Sequence, residues 1–148
     1  MNFTHLHVHT EYSLLDGSNK IKEYVDRVKA LGMDSAAITD HGVMYGVIDF
    51  YRAARSAGIN PILGCEVYVA PGSRFDREVG SGDDRYYHLV LLAENNQGYS
   101  NLMKIVSKGF VEGFYYKPRV DLSLLEKYHE GIIALSACLA GEVARFLT

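Results

Sequence analysis

The chain alternates short apolar runs with longer stretches in which apolar residues recur every three or four positions. The short runs predict five strands, over residues 4–9, 36–39, 62–69, 87–93 and 132–136. The longer stretches predict five helices: one through 21–28 that ends at Gly32, one over 43–56, one through 99–106, and two over 121–128 and 142–147. Because strands alternate with helices, the pattern predicts an α/β fold of about five βαβ units with a parallel sheet.

The third and fourth strands are the most apolar. Residues 89–93 after His88 are continuously apolar, as expected of a parallel strand that is buried on both faces. Glu66 interrupts the third strand, and a carboxylate inside a buried strand must be paired or bound to a metal. Cys65 points the other way by strand alternation, which predicts core packing. Between these strands, residues 71–85 are rich in Gly, Ser, Asp and Arg, which predicts a mobile surface loop.

Composition narrows the class of protein. With 148 residues, of which 48% are hydrophobic, the chain has the size and composition of one globular domain, and disorder is not expected. No leader peptide or run of about 20 apolar residues occurs, so we expect a cytoplasmic protein without a membrane partner. The net charge of -3 gives no general attraction to nucleic acid, which would have to be held by a local basic patch or by metal ions.

The first predicted strand carries a row of histidines. His5, His7 and His9 fall on one face of a strand, because successive side chains alternate between faces. Imidazole nitrogens that lie side by side suit zinc, iron or manganese. A single histidine is more often a hydrogen-bonded core residue, but three on one face favour a metal site.

Other residues with ligand chemistry lie near predicted strand ends, where functional groups of parallel α/β folds collect. His88 lies nearer the start of its strand than the end. These candidates are His7, His9, Asp16, Asp40, His41, Glu66, His88 and Cys138. Because five to seven ligands overfill one mononuclear site, we expect two or three divalent ions (Zn, Mn or Fe), with Glu66 as a bridging carboxylate.

Several candidates have simpler interpretations. Asp16, which precedes Gly17, has the position of a turn residue that bonds the backbone, and Cys138 taken alone is typical of the core. Asp40 is expected either at the start of the second helix, with His41, or as the acceptor for a ligand imidazole. His5 is expected as the innermost residue of its row, and His129 as a solvent-exposed one.

A second cluster, residues 114–119, has two cations among aromatic side chains. Lys117 and Arg119 are candidates to clamp a phosphate, next to rings that stack on a base. An equally good interpretation is a solvated connection with a packed tyrosine. Both interpretations stay open at this point.

An ordered series of motifs resembles the PHP (polymerase and histidinol phosphatase) domain over essentially the whole chain. The stretches 41–51, 64–74 and 113–119 are more similar still to the version at the N-terminus of the bacterial replicative DNA polymerase III alpha subunit. The motifs are His7-x-His9, Leu15-Asp16-Gly17, Thr39-Asp40-His41-Gly42, Gly64-Cys65-Glu66, His88-Leu89-Val90-Leu91-Leu92 and Ser136-Ala137-Cys138-Leu139-Ala140-Gly141.

The resemblance implies a distorted (β/α)7 TIM-like barrel with up to three metal ions at the carboxyl ends of its strands. It implies one ion on His7, His9 and Glu66, which would hold the catalytic water. A second ion would lie on Glu66, His88 and Cys138, and a third on Asp16 and His41. The family's late Asp-x-His pair is not found in residues 1–148, so we expect an incomplete barrel, the N-terminal part of a PHP domain from a longer polymerase subunit.

The function that the resemblance implies is metal-assisted phosphodiester hydrolysis in DNA replication, with removal of nucleotides from a primer 3′ end (proofreading). The implied partners are DNA, the remaining polymerase III alpha domains and, through the full-length protein, a proofreading exonuclease subunit and the sliding clamp. One alternative is a non-catalytic module that docks polymerase domains or a proofreading subunit. Another is a stand-alone phosphatase for a small phosphomonoester.

Overall fold

The computed structural model describes residues 3–78 and 85–147, which form a mixed α/β fold. The strands are β1 (Ser35–Ile38), β2 (Asn60–Val69), β3 (Tyr87–Ala93), β4 (Phe114–Tyr115), β5 (Lys117–Val120) and β6 (Ile132–Leu135). The α-helices are α1 (Ile21–Ala30), α2 (Val47–Ala57), α3 (Asn96–Val111), α4 (Leu122–Tyr128) and α5 (Glu142–Leu147), and a 3₁₀ helix spans Glu11–Asp16.

The long strand β2 organises the sheet. One edge of β2 pairs with β3, and its other edge pairs first with β1 and then with β5. β3 pairs on its far side with β6, and β4 extends the sheet beyond β5. The side chains of β2 are buried from Cys65 to Val69, and those on one face are available to build a site.

The expectation of a wholly parallel sheet is wrong. β3 runs antiparallel to β2, and β6 runs antiparallel to β3, so β6 is parallel to β2. A parallel pair of consecutive strands needs a crossover connection, usually a helix. The described part of the connection between β2 and β3 contains no α-helix, and the chain turns back on itself instead. Residues 79–84 of the predicted mobile loop lie outside the described residues.

The predicted first strand, residues 4–9, is also absent, since the structure assigns no strand to this described segment. Val8 O accepts a hydrogen bond from Thr39 N (2.8 Å), but Val8 N donates to the Thr39 hydroxyl (2.7 Å) rather than to a carbonyl. A side-chain acceptor thus replaces the next backbone bond, and no regular ladder forms. His5 is exposed beside Phe3, so its expected inner position is wrong.

Two apolar clusters hold the helices on the sheet. In the first, Val25 of α1 and Phe50 of α2 pack with Ile38 of β1. In the second, Leu102 of α3 packs with Cys65 and Leu91 from β2 and β3. The prediction that Cys65 is a core residue is confirmed. No helix in the described ranges 3–78 and 85–147 is long and apolar enough to cross a membrane.

Capping residues and a left-handed glycine account for several of the helix ends. α2 ends at Gly58, whose φ of 77° is a left-handed conformation that favours glycine. Asn95 and Asp121 cap α3 and α4, because their side-chain oxygens accept hydrogen bonds from Gly98 N and Leu124 N. α2 begins at Val47 after Gly46, so Asp40 and His41 do not cap it. β4 and β5 form a short antiparallel pair that the sequence pattern did not predict.

Candidate metal centre

Glu66 is the centre of the candidate site. It lies in β2 with a fully buried side chain, and its two carboxylate oxygens are surrounded by four imidazoles. Burial by itself raises the pKa of this carboxyl group, but hydrogen bonds from His7, His88 and His9 outweigh burial and hold the pKa well below its usual range. Glu66 is therefore an anion inside the protein, which requires positive charge around it.

His7 and His9 approach Glu66 from the N-terminal segment. Their Nε2 atoms lie 2.7 and 2.5 Å from Oε2 of Glu66. The two histidines thus share a face although no regular strand forms, because the intervening Val8 is bonded to Thr39. The hydrogen bond to Glu66 raises the pKa of His9.

His41 and Asp16 form the next pair. His41 follows β1, and its backbone forms a bridge to Glu66. Its Nε2 lies 2.6 Å from Oδ2 of Asp16, and the same oxygen lies 3.6 Å from Nδ1 of His9. Asp16, at the end of the 3₁₀ helix, therefore contacts imidazoles instead of acting only as a turn residue. Burial lowers the pKa of His41, which favours the neutral form that ligates metals.

His88 and Cys138 complete the cluster. Nδ1 of His88 lies 3.0 Å from Oε1 of Glu66. Sγ of Cys138 lies 3.5 Å from Nδ1 of His88 and 3.9 Å from Oε1 of Glu66. Cys138 reaches this position because it follows β6, whose connecting loop bonds to His88 N through Ala140 O (3.0 Å). Cys138 is exposed, unlike a core cysteine.

The donor set fits divalent metal ions. In the part of the chain that the structure describes, three groups each place one potential ligand atom per residue within 4.8 Å of the others: His7, His9 and Glu66; His9, Asp16 and His41; and His41, Glu66 and His88. Among the described residues, Nδ1 of His41 is buried and has no hydrogen-bond partner, although a buried ring nitrogen ordinarily has one. It lies 3.4 Å from Oε2 of Glu66, where a cation would satisfy both atoms.

Asp40 supports the centre in a different way from the one predicted. Its buried carboxylate accepts hydrogen bonds from Thr10 N (2.6 Å), Thr10 Oγ1 (2.8 Å) and Ser13 Oγ (2.7 Å). The donors are a backbone amide and two hydroxyls, so the expected bond from a ligand imidazole is wrong. Ser13 Oγ in turn accepts from the backbone N–H of His41. Asp40 thus fixes the segment between His9 and Asp16 against the end of β1.

The comparison with protein families gives a direct match. The PHP domain profile matches residues 5–148 of the chain. The chain belongs to the PHP domain family.

The relatives of this PHP domain include much longer proteins. The chain is 52% identical over 147 residues to DNA polymerase III subunit alpha of Treponema pallidum, covering 99% of the chain and 13% of the relative. It is 53% identical over 142 residues to the subunit of the same name from Helicobacter pylori, covering 95% of the chain and 11% of the relative. The chain therefore spans about an eighth of these relatives.

A solved structure supports the fold. A Bifidobacterium adolescentis protein assigned as a metal-dependent phosphoesterase superimposes with a TM-score of 0.51 at 20% sequence identity, over 72% of this chain and 32% of that one. At this identity the likeness concerns the fold alone.

Lys117 and Arg119 of the PHP domain lie in different environments. Arg119 is fully buried, and its guanidinium donates to the backbone carbonyls of Gly113, Arg74 and Asp76. The prediction that Arg119 contacts phosphate is therefore wrong, because its side chain is fully buried and is not accessible to a ligand. Lys117 is exposed, with Nζ 5.4 Å from the centre of the Tyr68 ring. It lines the same cavity as His41 and His88.

Sequence reasoning missed several residues around the PHP centre. Tyr68 stacks on His41, with ring centres 6.0 Å apart. Its position two residues after Glu66 in one strand was a usable signal, since residues two apart share a face. Gly42 has a φ of 67°, and a Cβ there would lie 2.7 Å from the Tyr68 ring. Nothing in the sequence distinguished Thr10 and Ser13, the partners of Asp40. The exposed position predicted for His129 is confirmed.

Proposed function

We propose that this PHP domain is a metal-dependent phosphodiesterase that removes nucleotides from DNA 3′ ends, as part of a bacterial replicative DNA polymerase III alpha subunit. The observation that carries the proposal is the buried Glu66 carboxylate, which contacts four imidazoles and lies beside the Cys138 thiol. A carboxylate with this surrounding is typical of a bridging metal ligand and costs too much to bury for structural reasons alone.

Two or three ions (Zn, Mn or Fe) fit the donors. His7, His9 and Glu66 would hold one, Glu66, His88 and Cys138 a second, and Asp16 and His41 a third. The thiol favours zinc at the second position, whereas the oxygen and nitrogen donors elsewhere also suit manganese or iron. Such ions, when bound, supply a nucleophile at neutral pH and neutralise charge on the phosphoryl oxygens.

The chain's own side chains would prepare the substrate. Lys117, exposed at the cavity beside His41 and His88, would contact a phosphate oxygen of the DNA strand. Asp40 would keep His9 and Asp16 in register through Thr10 and Ser13. No side chain is needed as a covalent nucleophile.

We also propose that this domain is part of a longer protein. Relatives about eight times as long are consistent with residues 1–148 acting as the N-terminal part of a PHP domain, whose distorted (β/α)7 barrel is completed by residues of a longer protein. In that protein the partners would be the primer strand, the other polymerase domains, a proofreading subunit and the sliding clamp, in the cytoplasm.

The test uses the full-length protein and a primer-template with a mismatched 3′ end, in manganese or zinc. We expect the protein to remove the mismatched nucleotide. His9→Ala should lower the rate of this removal by at least about 100-fold. His129→Ala, an exposed histidine outside the cluster, is the matched control and should leave the rate unchanged. An uncut primer, or equal cutting by His9→Ala, would contradict the proposal. If the protein does not cut DNA but is stabilised against heat by metal, the non-catalytic docking module is favoured. If it cleaves small phosphomonoesters and not DNA, the stand-alone phosphatase is favoured.

A further inference from the structure

A cavity of about 370 Å³ opens beside the metal centre. Asp16, His41 and His88, three residues of the centre, contribute to its wall. Its size is within the range of small-molecule sites in proteins, which begin at about 300 Å³. A ligand that fills this cavity therefore contacts the metal centre directly.

The rest of the wall has a different chemistry. Leu14 and Leu15 line the cavity together with Tyr86 and the exposed Lys117. The ring of Tyr86 is held between its neighbours, 4.9 Å from the centre of the Tyr68 ring and stacked at 5.9 Å on His88. The cavity thus combines an apolar and aromatic surface with one cation and the acidic and imidazole groups of the centre.

Within residues 3–78 and 85–147, the two leucines have no structural explanation. Leu14 is 81% exposed and Leu15 is fully exposed, at 105%, so neither contributes to the core. Leu14 also has φ 56° and ψ -107° inside the 3₁₀ helix, a strained conformation that L-residues rarely adopt. Strained residues of this kind persist where the surrounding structure holds them, and they concentrate at ligand sites.

We propose that Leu14 and Leu15 form a base subsite, in which they contact the face of the terminal nucleobase while Lys117 contacts its phosphate. The inference rests on the proposed function and adds the part of the substrate that is recognised. A nucleotide matches the cavity because it has an anionic end for Lys117 and the metal centre, and a flat apolar face for the leucines and Tyr86. Contacts to the face of a base do not depend on the DNA sequence, since every base has such a face.

A binding experiment tests the subsite without turnover. Calorimetry on the full-length protein compares deoxyadenosine monophosphate with 2-deoxyribose 5-phosphate, which carries the same phosphate and no base. We expect the nucleotide to bind about tenfold more tightly. The double variant Leu14→Ala/Leu15→Ala should abolish this preference while it leaves the affinity for the sugar phosphate unchanged. Leu31→Ala, at the exposed leucine that directly follows α1, is the matched control and should keep the preference.

A cleavage experiment gives the second readout. Two oligonucleotides are compared, one with a normal 3′ nucleotide and one with an abasic 3′ residue on the same phosphodiester. We expect kcat/KM for the normal end to fall about tenfold in the double leucine variant, with the abasic end unaffected. Equal loss on both ends, or a lowered Tm with unchanged base preference, would overturn the subsite and assign the leucines a structural role.

The two hypotheses fail in different ways. If the parent protein cuts neither oligonucleotide, the proposed exonuclease function fails, and the base preference measured by calorimetry still decides the subsite. If the parent protein cuts both ends equally and shows no base preference in binding, the subsite fails and the exonuclease function stands.

Discussion

Nδ1 of His88 lies 3.0 Å from Oε1 of Glu66 because β2 and β3 run in opposite directions. In the antiparallel register Glu66 is paired with Val90, and His88 is paired with Tyr68 toward the carboxyl end of β2. If β3 ran parallel to β2, its first residues, including His88, would lie near the amino end of β2 instead. The strand direction therefore brings an early residue of β3 to the edge where the other candidate ligands converge.

Cys138→Ala should remove one bound ion and leave the fold intact. The thiol is exposed, and its hydrogen-bond partners among the described residues are Glu66 and His88, so the free energy of unfolding of the metal-free protein should change by less than about 0.5 kcal/mol. Metal analysis of the purified full-length protein measures the loss of about one ion per chain.

Cys65→Ala is the control for this experiment. Cys65 is fully buried among the residues of β2, β3 and α3, and its truncation should lower stability without a change in metal content. An unchanged ion count in Cys138→Ala would exclude the thiol as a ligand.

Asp40→Ala should destabilise the protein by about 3 kcal/mol, because a buried acceptor of three hydrogen bonds is lost and Thr10 N is left without a partner. Metal affinity should fall by about 10- to 100-fold, as for other residues that position ligands. Urea unfolding and metal titration measure the two effects. Asp26→Ala removes an exposed ion pair with Lys22 and should change stability by less than about 1 kcal/mol. Equal effects of Asp40→Ala and Asp26→Ala would refute the role of Asp40 in positioning the metal ligands.

Arg119→Ala and Lys117→Ala should have opposite consequences although both residues lie in β5. Loss of the fully buried guanidinium removes three hydrogen bonds to backbone carbonyls and leaves a cavity where a large side chain was packed, and we expect a cost of about 3 kcal/mol in urea unfolding. Lys117→Ala should leave stability within about 0.5 kcal/mol and weaken the binding of a phosphate-bearing ligand. A stable Arg119→Ala variant with weakened phosphate binding would reverse these assignments.

The acid stability should depend on Asp121. Burial raises the pKa of this carboxyl group, but hydrogen bonds from the backbone N–H groups of Arg74 and Leu124 outweigh burial, and the pKa lies below its ordinary value of 3.8. The unfolded chain then binds more protons than the native one between these two pKa values. The stabilisation from Asp121 is therefore complete above about pH 4 to 5 and is lost as the pH falls through the native pKa.

Asp121→Asn isolates the charge, because asparagine also caps helices well. We expect lower stability than the parent protein at pH 7 and a shallower loss of stability as the pH falls below about 4, measured by urea unfolding at each pH. Parallel curves for the two proteins would show that the carboxylate charge does not contribute.

The sequence was informative where a local pattern has one physical solution. Glu66 in an apolar strand had to be paired, and Cys65 beside it had to face the core, because side chains alternate along β2. Gly58 marked a helix end because a left-handed residue is needed there. The strand pattern of residues 87–93 likewise gave the bounds of β3.

Properties that depend on distant residues were not accessible in this way. Apolar periodicity is the same for parallel and antiparallel strands, so the direction of β3 was not encoded in its own residues. The lack of a strand at residues 4–9 results from the Thr39 hydroxyl, which takes the place of a backbone acceptor. Arg119 and Lys117 look equivalent in sequence, and only the loop that covers Arg119 distinguishes them.

The most direct test of the metal centre is the metal content of Glu66→Gln beside that of the parent protein, both purified at full length and measured by mass spectrometry. Glutamine keeps the volume of the side chain and removes the charge that four imidazoles surround. We expect two or three divalent ions per chain in the parent protein and at least a 100-fold weaker affinity in the variant. A parent protein without bound metal, or a variant that retains the same ions with the same affinity, would contradict this expectation.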